Sequence, residues 1–225
     1  MKKILILSVA CLTMAFSAGA QRGPIREKTE WMDAVVPHAT DRDLPHVLLV
    51  GNSITRAYYP EVAELLRGDA YVSLLATSKS LGDPALLRQV AEALREADYD
   101  VVHFNNGLHG WGYSERQYAK DFPALLRVLR KGAPKARLIW ATTTPVRCGE
   151  RMEEFAPETP RIRERNRIAA RCIDGRDIAV DDLYGLMENR PEYYEGGDGI
   201  HPLEPGVKAL AAQVAAAVSG NRSLP

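Results

Sequence analysis

Short apolar runs alternate with longer stretches of helical periodicity along most of the chain. The runs have the length and β-branched content of buried strands, which predicts strands over residues 46–51, 71–75, 100–104, 137–141 and 177–180. The spacing of apolar residues between them predicts helices over residues 60–67, 83–97, 114–130, 158–174, 181–189 and 204–219. Start signals support three of the helices: Pro60 at a first helical position, Asp83 as an N-cap, and Ser114 with Gln117 as a capping box.

Alternation of strands and helices is typical of a parallel sheet that helices cover on both faces. We therefore predict an α/β fold, a three-layer α/β/α sandwich with a flavodoxin-like, parallel five-stranded sheet. The length of 225 residues fits a single domain. Because ligands bind beyond the carboxyl ends of the strands in such sheets, the residues that follow each strand are the first place to look for function.

The N-terminal 44 residues depart from this pattern. Two lysines precede an apolar stretch that is too short to span a bilayer comfortably, and Ala18-Gly19-Ala20 has small residues where signal peptidase cleaves. This predicts a signal peptide over residues 1–20 and a periplasmic or extracellular protein, with an uncleaved anchor as the alternative. Residues 21–44 are polar and turn-rich and are predicted to form an extended arm, and residues 45–225 form the predicted globular domain.

Charge and cysteine content narrow the function classes. Lys plus Arg equals Asp plus Glu, at 29 each, so no net field favours nucleic acid or an acidic membrane. The arginines at positions 161, 163, 165 and 167 are interpreted as a solvated helix face. After signal cleavage Cys148 and Cys172 remain, and a disulfide and two free thiols are both open. Neither cysteine has metal-type spacing, so no metal is predicted.

Polar and small residues follow the first three predicted strands. Ser53 comes after the first strand, in Gly51-Asn52-Ser53-Ile54, and Gly82 comes after the second, just before a helix. The third strand is followed by Asn105-Asn106-Gly107. Taken singly, each has a plainer interpretation as turn chemistry.

The segment Gly197-Asp198-Gly199-Ile200-His201-Pro202 precedes the last helix. Asp198 and His201, three residues apart on a loop, can fold back on each other, so that the carboxylate orients the imidazole as a base. A solvated loop histidine is the alternative for His201. His103 and His109 are competing histidines.

In combination these segments resemble the SGNH (GDSL-like) hydrolase family over roughly residues 46–219. Its blocks carry Ser, Gly, Asn and His in that order, and they are matched here by Gly51-Asn52-Ser53-Ile54, Leu81-Gly82-Asp83, Asn105-Asn106-Gly107 and Asp198-Gly199-Ile200-His201-Pro202. The family's first block is usually Gly-Asp-Ser-Leu and its third Gly-x-Asn-Asp. The chain departs from them at Asn52, at His103 in place of Gly, and at Asn106 in place of Asp.

The resemblance implies a serine esterase with Ser53 as nucleophile, His201 as base and Asp198 as the group that orients it. It also implies that the Ser53 N–H, the Gly82 N–H and the Asn105 amide form the oxyanion hole. No metal or organic cofactor is needed for this chemistry.

The expected substrate is an ester with O-acetyl or other short acyl groups on a carbohydrate. Trp111 and Tyr58 lie near the proposed catalytic loops, and aromatic rings suit stacking on sugar faces, although either ring can equally belong to the core. The alternatives are a lysophospholipase or other lipid acylhydrolase, a thioesterase, and a carbohydrate-binding protein without catalysis. The expected partner is a small-molecule or glycan ester, and neither nucleic acid nor a membrane span of the mature chain is expected.

Overall fold

The computed structural model describes residues 23–220, and the predicted signal peptide lies outside them. Within this part of the chain the strands are Met32–Val35 (β1), His46–Gly51 (β2), Tyr71–Thr77 (β3), Val101–Phe104 (β4), Arg137–Ala141 (β5), Arg147–Cys148 (β6), Arg151–Phe155 (β7) and Ile178–Asp181 (β8). The α-helices are Ser53–Leu65 (α1), Pro84–Ala93 (α2), Glu115–Gly132 (α3), Thr159–Ile173 (α4), Leu183–Glu188 (α5) and Glu204–Ser219 (α6).

The central sheet has the strand order β1-β3-β2-β4-β5-β8. The strands β3, β2, β4, β5 and β8 are mutually parallel and follow the flavodoxin-like order, which confirms the predicted fold. The sheet has one strand more than predicted. Strand β1 comes from the predicted arm and pairs antiparallel with β3, with Met32 opposite Thr77.

Helices cover both faces of the sheet, and β2 shows how its residues divide between them. Val47 and Leu49 pack in the apolar layer of α1 and α6, whereas Leu48 and Val50 pack in the layer of α2, α3 and α4. Because both faces of this strand are buried, its sequence is a continuous apolar run instead of an alternating one.

Helix α1 begins at Ser53 and not, as predicted, at Pro60. The Asn52 side chain caps it, because its Oδ1 accepts a hydrogen bond from the Ile54 N–H at 2.9 Å. Pro60 lies inside the helix, where its missing N–H removes one helical hydrogen bond. The early start places Ser53 in the first turn of α1, immediately beyond the end of β2.

Strands β6 and β7 form a hairpin that the sequence pattern did not indicate. The hairpin packs on the loop before α6, where the Arg147 N–H donates to the Gly199 carbonyl at 2.8 Å. Gly199 has φ +77°, and a side chain there would collide with the Arg147 carbonyl, so this contact requires glycine. Cys148 on β6 and Cys172 on α4 are both free thiols.

None of the helices between residues 23 and 220 combines the length and the apolar character that a membrane crossing requires.

Candidate active site

At the carboxyl end of the sheet, three side chains from distant parts of the chain form one hydrogen-bonded series. Ser53 Oγ lies 2.8 Å from His201 Nε2, and His201 Nδ1 lies 2.6 Å from Asp198 Oδ2. About half of each of the His201 and Asp198 side chains is exposed, at 48 % and 52 %. The structure therefore brings together the three residues that the sequence pointed to, at a solvent-accessible position.

The loop before α6 folds so that the carboxylate of Asp198 holds both the backbone and the ring of His201. Asp198 Oδ1 accepts from the N–H groups of Ile200 and His201, at 2.8 and 2.7 Å. Burial raises the pKa of Asp198, but the hydrogen bonds from His201 and Ile200 outweigh it and leave the pKa below its usual 3.8. Asp198 is therefore ionised at neutral pH and suited to accept a proton-bearing Nδ1.

The segment before Ser53 explains two of its residues. Gly51 is required because a side chain there would collide with Thr55 on the first turn of α1. Asn52 supplies the capping oxygen that an aspartate would supply, and its Nδ2 donates to Asn105 Oδ1 at 3.4 Å. The departure at Asn52 thus keeps the cap and adds a contact to the neighbouring strand end.

The proposed oxyanion role of Asn105 is wrong for this structure. Its Nδ2 donates to the Ala141 carbonyl at 2.8 Å and to Thr143 Oγ1 at 3.0 Å, so both amide hydrogens are used. The side chain is buried beneath Ser53, in the wall of a cavity of about 10 Å³. Asn105 fixes the ends of β4 and β5 together and has no N–H left for a ligand.

Gly82 does not line the cavity that contains Ser53 and His201. Its φ is +107°, and the Tyr113 ring packs against its Cα where a side chain would lie. These two constraints explain the glycine without a ligand.

Asn106 holds the loop after β3. Its Nδ2 donates to the Lys79 carbonyl, and its Oδ1 accepts from the Leu81 N–H, both at 3.0 Å. An ionised aspartate has no hydrogen to give to Lys79, which explains the amide at this position.

His103, the remaining departure from the family's third block, is fully buried on β4. Its Nε2 lies 2.9 Å from Asp181 Oδ2 on β8, and Gln213 of α6 donates to the other oxygen of Asp181. His103 is therefore part of the sheet's interior and not of the site.

A cavity of about 620 Å³ opens beside Ser53 and His201. Its apolar lining includes Ile25, Leu108, Trp111, Val146, Ala156 and Ile200. Its polar lining includes Glu27, His109, Arg147 and Glu158. The wall thus comes mainly from the N-terminal arm, the loop after β4, the β6–β7 hairpin and the loop before α6.

Tyr58, predicted to bind substrate, does not reach this cavity, and that prediction is wrong. Its side chain is 1 % exposed within the α1 layer of the core, and its hydroxyl donates to Thr55 at 3.1 Å. Burial raises the pKa of the Tyr58 phenol. Trp111, the other predicted aromatic residue, is partly exposed and does line the cavity.

Two arginines of α4 hold the loop that contributes Trp111. Arg165 is 2 % exposed and Arg161 partly exposed, which corrects the interpretation of this arginine series as a solvated face. Their guanidinium groups donate to the backbone carbonyls of Gly107, His109 and Gly110 (Arg165) and of Trp111 and Tyr113 (Arg161). Arg165 also lies over the Trp111 ring, 4.7 Å from its centroid.

The N-terminal arm forms part of the cavity wall, which sequence reasoning missed. Arg26 donates to Asp83 Oδ2 at 3.1 Å, and the Glu30 carboxylate lies 2.9 Å from Lys79 Nζ. These pairs fix the arm to the loop after β3. Only the polarity of the arm is visible in the sequence, because its partners lie about 50 residues away.

A serine, an imidazole and a carboxylate connected in this order on a flavodoxin-like sheet define the class of serine hydrolases. The GDSL-like Lipase/Acylhydrolase family model matches residues 49–209. The chain therefore belongs to the GDSL-like lipase/acylhydrolase family and is a carboxylic ester hydrolase. No curated protein matches the chain.

Solved structures share the fold at low sequence identity. A GDSL-like lipase from Bacteroides thetaiotaomicron is 18 % identical, with a TM-score of 0.62 over 77 % of this chain and 87 % of that chain. An acetyl xylan esterase is 20 % identical, with a TM-score of 0.61 over 77 % and 99 %. A carbohydrate esterase family 3 protein from Talaromyces cellulolyticus is 15 % identical, with a TM-score of 0.60 over 78 % and 97 %.

Proposed function

We propose that this chain is a secreted serine esterase that removes O-acetyl or other short acyl groups from carbohydrates. The observation that carries the proposal is the series Asp198–His201–Ser53, with 2.6 and 2.8 Å between the bonded atoms. The N-terminal pattern of two lysines, an apolar stretch and Ala18-Gly19-Ala20 supports export.

In the proposed mechanism Ser53 Oγ attacks the ester carbonyl carbon while His201 Nε2 takes its proton. Asp198 accepts from His201 Nδ1 and stabilises the imidazolium. His201 returns the proton to the leaving alcohol, which leaves an acyl group on Ser53. Water, deprotonated by His201, then releases the acid and restores the serine. The Ser53 N–H, in the first turn of α1, favours the negative charge that develops on the carbonyl oxygen.

A carbohydrate ester is supported by two features. Trp111 places an aromatic ring in the wall of the cavity, where it can pack on a sugar face. Two proteins that share this fold carry names that state action on acetyl xylan or on carbohydrate esters.

A lipid acylhydrolase is the second candidate. The apolar side chains of Ile25, Leu108, Val146 and Ile200 in the cavity wall favour it, because they could pack against a longer acyl chain.

The acyl-chain preference separates the two candidates. We expect kcat/KM for p-nitrophenyl acetate to exceed that for the decanoate by at least about tenfold, because one misplaced methylene group alone changes selectivity by roughly 10-fold or more. Acetate release from acetylated xylan and other acetylated glycans would identify the sugar. A preference for decanoate, or no acetate from any glycan, would replace the proposal with the lipid candidate.

Asp198→Asn should lower kcat by up to about 10⁴-fold, because an amide cannot stabilise the imidazolium of His201. The lowered pKa of Asp198 means that the carboxylate stabilises the fold at neutral pH and that this stabilisation is lost as pH falls through the folded-state pKa. The difference in unfolding free energy between wild type and variant should therefore shrink below pH 3.8. Ester hydrolysis and urea denaturation measure the two effects. A variant with wild-type kcat would remove Asp198 from the mechanism.

A further inference from the structure

The hydrogen bonds of Asn105 leave the proposed oxyanion hole without the side-chain donor that the sequence suggested. Both of its amide hydrogens are directed at Ala141 and Thr143. Of the expected donors, the Ser53 N–H at the start of α1 remains beside the nucleophile. One backbone donor is few for an ester carbonyl that becomes an anion, since such sites commonly combine two or three donors.

His109 lies in the wall of the cavity that contains Ser53 and His201, on the loop after β4. Its Nδ1 lies 2.6 Å from Glu27 Oε1 of the N-terminal arm. Its Nε2 is buried and has no hydrogen-bond partner within residues 23–220. A buried ring nitrogen without a partner is uncommon in a folded protein and calls for an explanation, such as a role toward a ligand.

The position of this imidazole is fixed from three directions. Arg165 donates to the His109 carbonyl at 2.7 Å, the Glu27 carboxylate holds one ring nitrogen, and the edge of the ring packs at 6.1 Å from Trp31. A side chain held in this way loses little further freedom when a ligand binds to it, which is what an electrostatic contact to a transition state requires.

We propose that His109, held by Glu27, is the side-chain oxyanion donor of this enzyme: its Nε2–H donates to the ester carbonyl oxygen as Ser53 attacks. The pairing repeats the arrangement of Asp198 and His201, in which a carboxylate holds Nδ1 and leaves Nε2 for the reaction. With Glu27 ionised, the ring carries a proton on each nitrogen, and the charge pair sets a positive donor beside the developing oxyanion. His109 neither gains nor loses a proton in the cycle, so the proton balance stays with His201. The proposal rests on the proposed esterase function.

The test compares His109→Ala and His109→Gln on p-nitrophenyl acetate and on an acetylated methyl xyloside. His109→Ala should lower kcat by about 10²–10³-fold on both esters, because the oxyanion is common to both. His109→Gln keeps an N–H donor and should recover at least tenfold of that loss. The matched control is His38→Ala, since His38 forms a similar pair with Asp41 at 2.7 Å on the surface. This control should keep wild-type kcat on both esters.

Three results would overturn the assignment. A kcat for His109→Ala within threefold of wild type would show that no donor was lost. A loss confined to the xyloside would place His109 on the leaving alcohol. An equal loss in the alanine and glutamine variants, together with a lower melting temperature of both, would make the role one of packing. If wild type itself hydrolysed neither ester, the proposed esterase function would fail first, which separates the two failures.

Discussion

Ser53→Ala is expected to lower kcat for ester hydrolysis by about 10⁶-fold, to the level that binding and the oxyanion donors alone support. The hydroxyl is the only group in the series that can form the acyl-enzyme, and its bonded neighbour is His201, at 2.8 Å. The substitution removes one oxygen from a partly exposed site, so the melting temperature should stay close to that of wild type. Single-turnover hydrolysis of p-nitrophenyl acetate would measure the loss.

His201→Ala should cost about as much, and the double variant should be no worse than either single variant, because the two side chains act as one unit. Ser219→Ala serves as the matched control, since that hydroxyl donates within α6 to the Ala215 carbonyl and should leave kcat unchanged. A fluorophosphonate probe should label Ser53 in wild type. Wild-type activity in Ser53→Ala would contradict the mechanism, and the absence of a labelled serine would favour a carbohydrate-binding protein.

The parallel core of the fold could be predicted because each of its strands is buried by local pattern alone. Strand β2 was predicted with its observed bounds, since both of its faces are apolar. Strand β1 was not predicted, because most of its residues are exposed and its stability comes from pairing with β3. The same holds for β7, whose residues are partly or fully exposed.

The start of α1 shows how two local signals can compete. Pro60 is a good first helical residue, and so is a residue that follows a capping Asn52. The structure uses the cap, because the short connection from β2 leaves no room for another turn before the helix. This difference matters for function, since it decides whether Ser53 has the N-terminal end of a helix behind it.

In the site, Ser53, Asp198 and His201 were predictable because the signals are local, whereas Asn105 was assigned a role that its remote partners exclude. A better match to the third block existed in the sequence. Gly107-Leu108-His109-Gly110 has the glycine of Gly-x-Asn-Asp in place and puts His109 where that block has asparagine. What no pattern indicated is that Glu27, 82 residues away, holds this imidazole.

The arginine series of α4 appears uniform in the sequence, yet its members have opposite environments. Arg167 is exposed and pairs with Glu164 on the same helix. Arg165 is buried with its guanidinium turned to the carbonyls of the loop after β4. Glu115, at the start of α3, lies within 3.4 Å of Arg165 and balances its charge. A buried and hydrogen-bonded charge of this kind fixes the shape of the cavity wall that contains His109 and Trp111.

Arg165→Met is therefore expected to lower the free energy of unfolding by about 3–5 kcal/mol, as loss of one member of a buried charged network does. The substitution leaves three loop carbonyls without their donor and removes the cation from the face of Trp111. Urea denaturation at neutral pH would measure the loss, which is a large part of the total stability of a domain of this size.

Arg167→Met is the control for this change, because the same substitution one half-turn away removes only an exposed ion pair and should cost about 0–1 kcal/mol. Arg165→Lys should fall between the two, since one ammonium group cannot reach carbonyls that a planar guanidinium bridges. Because the loop carries His109, Arg165→Lys should also lower kcat while the Arg167 variant does not. Equal unfolding free energies for Arg165→Met and Arg167→Met would mean that the loop holds its shape without the arginine, and the link between α4 and the cavity wall would be lost.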